Sequence, residues 1–168
     1  LLESFLIARS MGSEADLVLV GPDWGEQSTI AAAARSAGVA GFVHFTGPLY
    51  DRMKMAALRD AIATVHRPRY EGFGLAVVEA MSVGTPAIIG ERCLLPVNGE
   101  AEGVVLVRGN ARDFATAMVT VERDAARRAQ LGAAAQVCVA RRFDWTAIAQ
   151  RTLDEAGLGS ATTEEAKR

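Results

Sequence analysis

The chain has 168 residues, of which 50% are hydrophobic and 23% charged, with a formal net charge of −2. That fits one domain with a single core. It lacks the basic surplus of a nucleic-acid binder and a membrane span's run of roughly 18 apolar residues, and no basic n-region followed by an apolar stretch marks a signal peptide. Cys93 and Cys138 lie far apart without metal-type spacing, which reads as two buried free thiols in a reducing cytoplasm.

Leu1 opens the chain inside a helical pattern (Leu2, Phe5, Leu6, Arg9), so the chain is expected to be a piece of a longer one. A buried strand is predicted over Asp16–Val20, ending at Gly21-Pro22. An Ala-rich helix follows over Gln27–Ala37, closed by Gly38. Gly41–Phe45 is the second predicted strand, Asp51–Leu58 a short helix and Ala61–Val65 the third strand. After the loop from His66 to Gly74 comes a helix over Leu75–Val83, closed by Gly84. Pro86–Ile89 and Val104–Val107 are the last strands, and helices are predicted over Arg112–Glu122, Ala125–Phe143 and Trp145–Glu155, with Asp144 as N-cap of the third. Alternating strands and helices with short Gly-rich connections predict an α/β, Rossmann-like parallel sheet with helices on both faces. Ligands bind such sheets beyond the C-terminal strand ends. A nucleotide-binding unit is expected over 1–156 and a polar tail over 157–168.

The chemistry is concentrated in Arg69-Tyr70-Glu71-Gly72-Phe73-Gly74-Leu75-Ala76-Val77-Val78-Glu79-Ala80. Gly72 and Gly74 permit a tight turn and close approach to a ligand. The first amides of the helix at Leu75 have no intrahelical acceptor and can bind an anion such as a diphosphate. Apolar neighbours on all sides of Glu79 predict a largely buried carboxylate, which needs a donor. A ribose diol and a structural salt bridge to an arginine are both open readings. Glu71, in the loop, would repel an anion unless it faced another part of the ligand, such as a sugar hydroxyl. Phe73 reads as a core plug or a ligand wall. His66 and His44 read as structural residues, although His66 stands at a strand end.

Glu71 and Glu79 are separated by seven residues. With Met81, Gly84-Thr85-Pro86 and Ile88, this stretch resembles the E-x7-E signature of the group 1 (family 4) retaining glycosyltransferases, which have two Rossmann-like domains (the GT-B fold). Leu17–Pro22, Val43–Gly47 and Phe143-Asp144-Trp145 resemble further family segments, so the resemblance covers residues 1–156.

The resemblance implies the C-terminal, donor-binding half of such an enzyme, without the domain's first strand and the loop after it. It implies transfer of a hexose-type sugar from a UDP-, GDP- or ADP-sugar. Glu71 would contact the transferred sugar, Glu79 the ribose, and the backbone of Gly72, Phe73, Gly74 and Leu75 the sugar and distal phosphate. Leu49 would lie against the base, and Lys54 would reach the nucleotide or remain a solvated surface lysine. The implied partner is the acceptor domain of the same full-length protein, with no metal or other cofactor, no nucleic acid and no membrane span. An Arg and a Lys upstream would complete the diphosphate site. Departures are Ala76 where the family often has Pro, and Val97 where an acidic residue is common. A sugar-nucleotide 2-epimerase and a non-catalytic nucleotide-sugar-binding module are the alternatives.

Overall fold

Helices and strands alternate in the predicted order in the computed structural model, which describes residues 1–158. They are α1 (Leu2–Ser10), β1 (Leu17–Val20), α2 (Gln27–Ser36), β2 (Val43–Gly47), α3 (Asp51–Asp60), β3 (Thr64–His66), α4 (Leu75–Ser82), β4 (Ala87–Gly90), β5 (Val104–Val107), α5 (Ala111–Arg123), α6 (Ala125–Arg142) and α7 (Trp145–Glu155). Two 3-10 turns, Ala40–Phe42 and Gly99–Glu102, were not predicted. The first takes Gly41 and Phe42 out of the predicted second strand. The third strand begins at Thr64, whose N–H donates to the Pro86 carbonyl at 3.0 Å, and extends to His66. Beyond residue 158 the expected polar tail lies outside the described residues.

All strand pairs among the described residues are parallel, as the predicted Rossmann-like parallel sheet requires, and they form two ladders, β1–β2 and β3–β4–β5. The central strand β4 is buried along its whole length. Its Ala87 and Ile89 pack against Val77 and Met81 of α4 and Ala135 and Cys138 of α6. Its Ile88 faces Phe114 and Val121 of α5 on the other side. The smaller ladder is covered on one face, where Leu17 and Val43 meet Phe5 of α1 and Ala34 of α2. On its other face Val18 and Val20 are about half exposed. Met118 of α5 touches the cores of both ladders and the contact between α1 and α5, so this helix pair joins the two halves. Phe5 and Phe114 are each 1% exposed, and burial of such a side chain is worth ~1.5–3 kcal/mol.

The helices that frame the loops are locally specified. Asn110 and Asp113 form a capping box on α5, and the carboxylates of Asp124 and Asp144 cap α6 and α7. Gly84-Thr85-Pro86 is explained by packing. Thr85 is buried and its hydroxyl donates to the Leu58 carbonyl at 2.6 Å, which fastens the C-terminal end of α3 to the loop after α4.

Candidate functional site

The chain leaves β3 at His66 and returns five residues later so that Glu71 pairs with Cys93. The Glu71 N–H donates to the Arg92 carbonyl at 2.9 Å, and the Glu71 carbonyl accepts from the Leu94 N–H at 2.9 Å. Glu71 is therefore a loop residue with a fixed backbone. Gly74 follows with φ +85°, the left-handed conformation that starts α4. A Cβ there would lie 3.1 Å from Cys93 Sγ and 3.7 Å from Glu71 Cγ. Both its φ and its surroundings call for glycine. The same added Cβ at Gly72 would meet nothing within 4 Å. Among the described residues neither the backbone conformation nor a neighbour of Gly72 calls for glycine, so the turn itself rests on Gly74.

The Glu71 carboxylate is held from two sides. Oε1 accepts from the Phe73 N–H at 3.2 Å, and Oε2 faces His66 Nε2 at 3.5 Å. The Phe73 N–H holds this carboxyl below the usual glutamate range, against slight desolvation and with help from the Gly74 N–H and the His66 ring. Glu71 is ionised at neutral pH. Because the Phe73 amide already serves Glu71, the amides open to an anion lie further along. Among the described residues, those of Leu75 and Ala76 donate to no backbone carbonyl, the first bond being Val77 N–H to the Gly74 carbonyl. Leu75 and Ala76 are exposed at the start of α4.

Glu79 is not buried as predicted. Val77, Ala80 and Met81 face the core, while Leu75 is 69% exposed and Glu79 sits at the margin. Helix α4 is apolar on its open side as well as its packed side, and that composition misled the burial argument. Lys54 of α3 donates to Glu79 Oε1 at 2.6 Å, with side chains 34% and 37% exposed. The salt bridge left open in the sequence exists, with lysine in place of arginine. Partly exposed pairs of this kind contribute ~0–1 kcal/mol. Glu79 Oε2 has no hydrogen-bond partner among the described residues.

The other expected residues are less engaged. Leu49 is half-buried in the loop between β2 and α3. Phe73 is 38% exposed and meets Phe143 edge to face, ring centroids 5.6 Å apart, so it is neither a full core plug nor a free wall. Sequence reading missed Phe143 and Cys93 as supports of the turn and set His66 aside; its place at a strand end five residues before Glu71 was the available signal. His44 pairs with Asp16 at 2.8 Å on the exposed side of the smaller ladder. A cavity of about 530 Å³ beside α6, lined by Asn98, Glu102, Cys138 and Arg142, contains none of the signature residues. No helix among the described residues is long and apolar enough to cross a membrane.

The chain as a whole has relatives among known proteins. The family model of the group 1 glycosyl transferases matches residues 1–137. Phosphatidyl-myo-inositol mannosyltransferase of Mycobacterium leprae is 30% identical over 125 residues, 71% of this chain and 33% of its own. Sucrose-phosphate synthase of Thermosynechococcus elongatus shares the fold with a TM-score of 0.75 and 29% identity, over 93% of this chain and 41% of its own. Anabaena HepE, solved in complex with UDP, gives a TM-score of 0.79 at 22% identity, over 92% of this chain and 44% of its own. The chain spans about a third of the length of the curated relatives it matches. A family match over most of its residues and a Rossmann-like unit shared with GT-B enzymes lead to one assignment: the chain belongs to the group 1 glycosyl transferases.

Proposed function

We propose that this chain is the donor-binding domain of a cytoplasmic retaining glycosyltransferase that moves a hexose-type sugar from a nucleoside diphosphate to an acceptor. The observation that carries the reading is the pair of carboxylates at α4. Glu71 stands just before the open amides of Leu75 and Ala76, and Glu79 lies one turn along the same helix with one oxygen unpartnered. Along a nucleotide sugar, the sugar hydroxyls need an acceptor, the diphosphate needs donors and the ribose hydroxyls need an acceptor, in that order. In this reading the Leu75 and Ala76 amides take the distal phosphate and Glu79 the ribose hydroxyls. Lys54 lies beside the nucleotide, Leu49 against the base, and Gly72 and Phe73 along the sugar.

Transfer breaks the bond between the anomeric carbon and the distal phosphate oxygen. The electron pair leaves with the diphosphate, and the acceptor oxygen bonds to the same face of the sugar. Its proton ends on the leaving diphosphate. Negative charge grows on the leaving oxygen, where fixed amide dipoles stabilise it without reorganisation. Ionised Glu71 accepts from the sugar hydroxyls. The acceptor is held by another domain of the same protein, and an Arg and a Lys upstream complete the charge balance without a metal.

Titration calorimetry with UDP-, GDP- and ADP-sugars tests the reading in the protein that carries this domain. One of the three bases should be bound in preference, at a single site. Failure of all three to bind at millimolar concentration would overturn it.

A further inference from the structure

His66 closes β3 and is fixed there by pairing with Ile89 of β4. Its Nε2 is out of contact with solvent and, among the described residues, has no hydrogen-bond partner. A buried polar atom left unpaired is costly, so the direction in which it points matters. It points at Glu71 Oε2, 3.5 Å away. The other oxygen of that carboxylate is already held by the Phe73 N–H, and the Glu71 backbone by Arg92 and Leu94. Among the described residues, His66 thus faces the Glu71 carboxylate oxygen opposite the one that accepts from the Phe73 N–H. His44 shows the contrast: it forms a close pair with Asp16, and both side chains are nearly half exposed.

We propose that His66 is a positioning residue, which donates through Nε2 to Glu71 Oε2 and holds the carboxylate in the orientation that meets the transferred sugar. This inference rests on the donor-site reading above. An ionised carboxylate only accepts, so the ring carries its proton on Nε2. The pair is slightly too long for a hydrogen bond without ligand. Such contacts commonly tighten only when the reacting complex forms. His66 touches neither sugar nor phosphate in this account and acts through Glu71 alone.

The test is a double-mutant cycle in the protein that carries this domain, with donor turnover followed as transfer or as donor hydrolysis. His66→Leu should lower kcat on the order of tenfold or more, the size of a lost hydrogen bond to a charged group, with donor KM changed less than about twofold. His66→Gln, whose amide nitrogen reaches the place of Nε2, should recover most of the rate. His66→Asn is equally polar but too short, and should be as impaired as His66→Leu; this pair of amides decides the matter even if the leucine variant does not fold. On a Glu71→Gln background, replacing His66 should have no further effect, because coupled residues do not add. Unchanged kcat in His66→Asn, or full additivity with Glu71→Gln, overturns the assignment. Donor calorimetry on the unaltered protein separates the two levels. Absence of donor binding sinks the donor-site reading and the role of His66 together, while intact binding with no dependence on His66 removes His66 alone.

Discussion

Gly72 and Gly74 stand two residues apart in one turn, and the structure gives them different duties. At Gly74 an alanine would be held at φ +85° with its Cβ 3.1 Å from Cys93 Sγ. The left-handed conformation alone costs ~1–2 kcal/mol for a residue with a Cβ. Gly74→Ala should therefore lower the melting temperature by about 2–8 °C at this chain size and weaken donor binding as well. At Gly72 the added Cβ meets nothing, so Gly72→Ala should change stability by less than about 0.5 kcal/mol and yet impair donor binding. Thermal melts paired with donor titration check both; equal loss of stability in the two variants would contradict the distinction. Glu71 and Glu79 were legible because their spacing is a local property of the chain. The partnership of Glu79 with Lys54 was not, because it is made between α3 and α4, 25 residues apart in sequence.

Helix α6 shows how closely the elements must approach. A Cβ at Gly132 would come within 2.2 Å of the Gly84 carbonyl oxygen at the end of α4. Gly132→Ala should destabilise by ~1–3 kcal/mol through overpacking, despite alanine's better helix propensity; a melt at or above the original temperature would refute this. The same helix is tied by Arg142 to Glu102 of the second 3-10 turn, with Nη1 2.6 and 2.9 Å from the two carboxylate oxygens. Burial alone would raise the Glu102 pKa, but the Asn98 N–H and Arg142 outweigh it and the net shift is downward. The unfolded chain therefore binds a proton more readily at this site. Its stabilisation is complete above the ordinary glutamate value and is lost as pH falls through the depressed one. Glu102→Gln should melt lower than the parent at pH 7, and the difference should vanish in acid; a gap that persists or widens on acidification would contradict it. Hydrophobic period revealed the long helices α5 to α7 nearly to the residue, and Asp144 announced its cap. The 3-10 turns escaped because three or four residues carry no period to read.

Strand existence could be read along the chain, but strand pairing could not, since each partner lies dozens of residues away. A parallel sheet was predicted; among the described residues two parallel ladders are present, joined through α1 and α5, with β1 and β3 each paired on one side only. Unpaired parallel edges beside exposed Val18 and Val20 favour association with other strands. This chain should self-associate with rising concentration in sedimentation velocity, and Val20→Lys should shift it toward monomer; a concentration-independent monomer would show that the edges are protected. In the proposed function, α4 with its Glu79 and the preceding loop with Glu71 hold a nucleotide-sugar donor. The most direct test is the donor Kd of Glu79→Gln, measured by calorimetry in the protein that carries this domain. The amide keeps the shape of Glu79 and would lose the charge-assisted bonds to ribose that the proposed function gives it. Binding should weaken by about 1.5–3 kcal/mol, with the melting temperature almost unchanged because the Lys54 pair is partly exposed and worth little. An unaltered donor Kd would reduce Glu79 to a surface salt bridge and contradict the account.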